Sequence, residues 1–146
     1  MSKVIAVCLS ENTGTRKEVV DEVTLREEFG VVGDAHASGS WHRQVSLLAI
    51  ESIDKMRKMG YEVNPGDFAE NLTTEGIELF TLPVGTMLSI GDEVTLEVTQ
   101  IGKDCHTGCA IFQRLGKCVM PKEGIFARVI RGGAIRASNE ITIGEE

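Results

Sequence analysis

The 146 residues carry a formal net charge of −7, Asp and Glu outnumbering Lys and Arg by 22 to 15, with 42% apolar and 25% charged residues. Such a balance belongs to a globular protein of ordinary domain size and excludes disordered and fibrous classes. The acidic field repels nucleic-acid phosphates and anionic membranes, so no nucleic acid and no membrane is expected as a partner, while local bases such as Arg43, Lys103 and Arg128 keep an anionic small molecule in play.

The opening "MSKVIAVCLSENTGTRKE" holds only a six-residue apolar run. That is too short for the apolar region of a secretory leader or for a membrane span, which predicts a cytoplasmic protein whose cysteines stay reduced. "KVIAVCLS" and "VVDEVTLREE" read as strands joined by the polar turn "ENTGTRKE", with Cys8 as a small core residue.

After "EEFGVVGD", the stretch "GDAHASGSWHRQ" shows no period of either kind. His36, Trp41, His42 and Arg43 make it a candidate pocket wall. "QVSLLAIESIDKMRKMG" starts as a strand and becomes a helix, with Ile50, Ile53 and Met56 on one face and Gly60 as its stop.

From Val63 onward, short segments separated by Pro-Gly, Glu-Gly, Gly-Asp and Gly-Gly signals predict antiparallel strands closing into a barrel or sandwich. In "VTLEVTQI", Val94, Leu96 and Val98 form one face and Thr95, Glu97 and Thr99 the other. "VIRGGAIR" predicts a hairpin in which Gly132 and Gly133 supply positive φ angles. Asn71 is expected to satisfy main-chain groups where "FAENLTTEG" leaves the sheet, and Glu70, a weaker pocket candidate, to be an exposed charge. With no repeat or linker, residues 1–146 read as one domain.

The segment "IGKDCHTGCAIFQRLGKC" gathers three of the four cysteines. Cys105 follows a strand directly, beside Lys103 and His106, which favour a thiolate, and Asp104, which opposes one. Cys105, His106, Cys109 and Cys118 also supply the four ligands of a tetrahedral zinc site, though their spacing is unusual. A third reading pairs Cys105 with Cys109 as a redox dithiol.

The order "VGDAH", "RQVSLLAIES", "PGDFAENLTTEGI", "LPVGTMLSIGDEVTLEVTQIGKDCHTGC", "GIFARVIRGGAIRASNEITI" resembles a stand-alone MOSC domain, the family named for the C-terminal part of molybdenum cofactor sulfurases. The resemblance implies a mainly β (α+β) fold, a MOSC-type β-barrel of antiparallel strands with a few short helices. It also implies a function tied to molybdenum cofactor (molybdopterin) or sulfur transfer, with Cys105 as sulfur carrier or molybdenum contact. Asp34, His36, His42, Arg43, Asn71, Lys103 and Arg128 are then the candidate cofactor contacts. The pyridoxal phosphate lysine domain of full sulfurases has no room in this chain, so a cysteine desulfurase or a molybdenum-cofactor enzyme is the implied partner. Some members of the family act on electrophilic or hydroxylamine-like compounds, which leaves a small thiol-dependent detoxifying enzyme as an alternative.

Overall fold

The computed structural model describes residues 2–11, 16–35, 37–39, 42–102 and 123–144. In chain order these form β1 (Lys3–Leu9), β2 (Glu18–Val20), β3 (Glu22–Arg26), β4 (Gly30–Val31), β5 (Val45–Ala49), α1 (Ile50–Lys58) and β6 (Leu72–Glu75). A 3-10 turn at Leu79–Thr81 follows, then β7 (Met87–Ile90), β8 (Val94–Ile101), β9 (Ile125–Arg131), β10 (Gly133–Arg136) and β11 (Ile141–Ile143).

Eight strands join in the order β11-β7-β8-β9-β5-β6-β1-β2, and β10-β3-β4 form a second sheet. The large sheet curls until β1 reaches the segment before β11: Lys3 bridges Glu140, the Val4 N–H donates to Asn139 O at 2.8 Å, and the Ser138 N–H donates to Val4 O at 2.7 Å. The expected mainly β, barrel-like architecture is therefore present. Its pairing is not wholly antiparallel, because β5 and β6 run parallel. A parallel pair needs a long crossover, and α1 with residues 59–71 supplies it.

Period-two alternation divides the apolar residues between two layers. Leu47, Ala49, Ile125 and Ala127 belong to the cluster inside the curl, with Val94, Leu96 and Val98 of β8. Leu48 and Phe126, pointing the other way, meet Ile53 and Met56 of α1 and Val63, Phe68 and Ala69 of the crossover. The helix is the one read from the sequence: Ile53 and Met56 are buried, and Gly60, at φ +100°, follows its end. Burying an aliphatic or aromatic side chain stabilises by about 1.5–3 kcal/mol, so this second cluster is what fastens the helix to the sheet.

Two expectations change. The second predicted strand breaks at Asp21: β2 pairs with β1, whereas β3 pairs with β10 and β4. "VIRGGAIR" is not a hairpin, since β9 pairs with β8 and β5 while β10 pairs with β3 in the other sheet. Gly132 is glycine because of a close approach rather than a turn: a Cβ there would lie 2.4 Å from Leu25 O. Gly132→Ala is expected to lower stability by about 1–3 kcal/mol, the range for an overpacked site. Urea denaturation measures it, and an unchanged midpoint would show that the chain does not switch sheets this closely.

Candidate functional site

Register brings a row of polar side chains onto the outer face of the large sheet. Ser46 and Gln100 both lie opposite Phe126, whose ring points outward, so Gln100, Phe126 and Ser46 stand side by side across β8, β9 and β5. Asn71 continues the row toward Cys8 in β1: its Oδ1 accepts the Ser46 N–H at 3.0 Å and its Nδ2 donates to Cys8 O at 3.1 Å. With neighbouring strands about 4.8 Å apart, the row crosses most of the sheet.

At the β8 end, one amide oxygen organises two of the predicted site residues. Gln100 Oε1 accepts from Arg43 Nε at 2.9 Å and stands 2.9 Å from His42 Nε2. A carbonyl oxygen only accepts, so the His42 proton sits on Nε2 and the lone pair of the neutral ring falls on Nδ1. The Arg43 guanidinium lies 5.1 Å above the Phe126 ring, a cation–π distance. Thr99 Oγ1 donates to His42 O at 2.9 Å, and Gln100 Nε2 to Gly102 O at 2.8 Å. His42 and Arg43 are thus tied to the strand end from which the chain runs on to Lys103 and Cys105.

At the β1 end lies a buried charge cluster that the sequence reading missed. Lys17 Nζ and Asp34 Oδ1 are 2.8 Å apart with both side chains fully buried, and the Ser10 N–H donates to the same carboxylate oxygen. Beside them Glu70, expected to be exposed, is at 0% exposure. Its Oε2 accepts the Gly66 N–H at 2.8 Å and the Thr73 hydroxyl at 2.7 Å, and its Oε1 has no hydrogen-bond partner. Desolvation raises its carboxyl from 4.5 to about 7 against those hydrogen bonds. Cys8 is a core residue as read; burial first, then the Glu70 charge, pushes its thiol up to about 12.

The candidate contacts therefore separate. His42 and Arg43 come together. Asp34 is held by Lys17, and the amide of Asn71 is engaged by Ser46 and Cys8, the main-chain role expected of it. Arg128 donates through Nε to Glu97 at 2.7 Å and through Nη1 to Glu28, the Glu97 hydrogen bond being first among the causes that raise its pKa. His36, Lys103, Cys105, His106, Cys109 and Cys118 lie outside the described residues.

Gln100 escaped the sequence reading because strict alternation puts it on the same side as Val98. The irregularity between Val98 and Gln100 turns it outward. A separate cleft of about 200 Å³, between α1 and residues 76–80, is lined by Ser52, Lys55, Ile77 and Phe80 and by none of the described candidates.

The family model for the MOSC domain matches residues 34–142, from the buried Asp34 to the last strand. The chain belongs to the MOSC domain family. The fold of this MOSC domain is similar to that of the YuaD protein of Bacillus subtilis (TM-score 0.75, 18% identity, covering 98% of this chain and 96% of that one). It is also similar to YiiM of Geobacillus stearothermophilus (TM-score 0.74, 18% identity, 99% and 76% covered) and YiiM of Escherichia coli (0.67, 22%, 100% and 71%). No curated protein matches the sequence significantly. The family is associated with molybdenum cofactor. Among the described residues, no helix is long and apolar enough to cross a membrane.

Two outcomes test the buried cluster. Asp34→Asn leaves Lys17 buried without its carboxylate and is expected to destabilise by about 3–5 kcal/mol in chemical denaturation, as breaking a buried pair does; a loss within experimental error would place the pair in water. A raised carboxyl pKa means that the fold keeps a proton the unfolded chain releases. The Glu70 contribution is therefore full below pH 4.5 and declines by roughly 3 kcal/mol as pH rises to about 7. The difference between wild type and Glu70→Gln, followed by urea denaturation across that range, isolates it; a difference that does not vary with pH would contradict the burial.

Proposed function

We propose that this protein carries sulfur for, or binds, molybdenum cofactor, with Cys105 as the working thiol. The observation that supports the reading is the Gln100 junction, which fixes an imidazole and a guanidinium at the mouth of the cysteine-bearing segment. Three residues span at most about 11 Å, so Cys105 is tethered within that reach of Gly102. A thiolate accepts sulfane sulfur as a persulfide or ligates a soft metal, and the nearby positive charge favours both.

The residues fit the cofactor in part. Arg43, with a planar donor group over an aromatic face, suits a phosphate, and His42 is a second polar contact. Asp34, Asn71 and Arg128 fit it poorly, since each already spends its polar atoms within the protein. When bound, the cofactor supplies the molybdenum chemistry; this chain's own part is to hold the anionic group and present a thiol. A cysteine desulfurase or a molybdenum-cofactor enzyme is the partner such a carrier requires.

Native mass spectrometry of protein purified anaerobically tests this directly. The expected wild-type spectrum shows a persulfide or a molybdenum-containing adduct that Cys105→Ser lacks. Arg43→Ala is expected to weaken cofactor retention at least about tenfold, the value of roughly one charge-assisted hydrogen bond. Cys105 is also expected to be alkylated first and Cys8 last among the four cysteines. A zinc-loaded mass, or adducts that survive Cys105→Ser, would remove the assignment.

A further inference from the structure

The buried carboxyl of Glu70 has no part in the reading above, and its surroundings are specific. It hangs from the crossover that leads into β6 and faces the sheet rather than solvent. Oε2 holds Gly66 and Thr73, and the N–H groups of Glu70 and Phe68 also favour the charged form; Oε1 has no hydrogen-bond partner, and among the described residues no salt bridge reaches the group. The ionisable groups facing this spot are Cys8 from β1, Lys17 from the segment after it with Asp34 as its counter-ion, and Asp67 from the same crossover. Thr73 from β6 donates its hydroxyl to the Glu70 carboxylate oxygen.

Gly66 sits directly over Cys8. A Cβ on it would lie 3.4 Å from Cys8 Sγ and 2.3 Å from Lys17 O, so backbone covers the thiol with no space between. Gly66 keeps that place through three hydrogen bonds, the Lys17 and Ala69 N–H groups donating to its carbonyl at 2.7 and 3.0 Å and its own N–H donating to Glu70. One of the three fastenings is thus a carboxyl group buried with one oxygen unmet.

We propose that the turn at residues 64–67 forms a proton-operated cover over Cys8, closed while Glu70 is a carboxylic acid and opened locally when it becomes a carboxylate. A desolvated carboxylate with an unmet oxygen is relieved by admitting water. β1 and β6 are held by their ladder, and Phe68 and Ala69 by the apolar layer against the helix, whereas residues 64–67 form a partly exposed turn, so this turn is what yields. The exposed group is a thiol, which makes Cys8 a modification site reachable by small electrophiles only above the titration of Glu70. The inference is independent of Cys105 and of any cofactor.

Alkylation of Cys8 by iodoacetamide, read by peptide mass from pH 5.5 to 9, tests it. A thiol alone accelerates at most tenfold per pH unit, because one proton must leave. Opening linked to Glu70 adds a second proton, so the wild-type rate is expected to rise about a hundredfold per unit at acid pH and tenfold per unit above a break near 7. Glu70→Gln, which keeps the shape and cannot ionise, is expected to rise tenfold per unit throughout. A wild-type profile of tenfold per unit without a break overturns the proposal, and this profile decides alone should the variant not fold. Urea below the unfolding transition is expected to leave the Cys8 rate unchanged; a rate that climbs with urea as global unfolding does would equally overturn it.

Discussion

The arrangement depends on Asn71. Its N–H donates to Ser46 O at 2.9 Å, its carbonyl accepts the Cys8 N–H at 2.7 Å, and its side chain bonds the same two residues again. Asn71 thus clamps β5 to β1 at the point where β6 enters between them. Only an amide does both, since the Ser46 N–H needs an acceptor and the Cys8 carbonyl needs a donor. Because β5 and β6 are parallel, the chain must leave the sheet between them, and the clamp is where it returns in register. The crossover laid over the outer face then buries Phe68 and Ala69 and, with them, Glu70.

A consequence is that the described candidate residues His42 and Arg43 lie outside the curl. The described buried residues within it are almost wholly aliphatic, and a packed apolar interior leaves no room for a polar ligand. The outer face instead alternates apolar support with polar groups: Phe126 beneath Arg43, and Leu48 and Phe68 in the layer that covers Cys8 and Thr73. The helix supports this layer rather than the site itself. Its Ser52 and Lys55 bind Glu123, and although burial works to raise that carboxyl, the hydrogen bonds from Lys55 and Ser52 outweigh it and hold it below its ordinary range.

What the sequence made legible was periodic or local. Ile53, Met56 and Gly60 declared the helix, Val94, Leu96 and Val98 a strand, and Asn71 a main-chain partner. Features that depend on which strand lies next to which were hidden. The two glycines of "VIRGGAIR" advertise backbone freedom, which a turn and a close approach use equally, so the sheet switch at Gly132 looked like a hairpin. Lys17 sits in "TRKE" and Glu70 in "FAEN", and a charge in a polar run reads as solvated because burial of a charge is rare without a partner. For Lys17 the partner is Asp34, seventeen residues away; for Glu70 it is a set of neutral donors, Gly66 and Thr73 among them.

The same reasoning separates the two arginines that the sequence could not rank. Arg128 stands on β9 opposite Glu97 in the ladder, with Glu28 on its other side, so two carboxylates surround one guanidinium and an incoming anion would meet net negative charge. Arg43, by contrast, is oriented by the amide oxygen of Gln100 and the face of Phe126. In a protein of net charge −7 an anion is drawn only where local groups outweigh the global field. The two carboxylates beside Arg128 add to that field and turn an anion away from it.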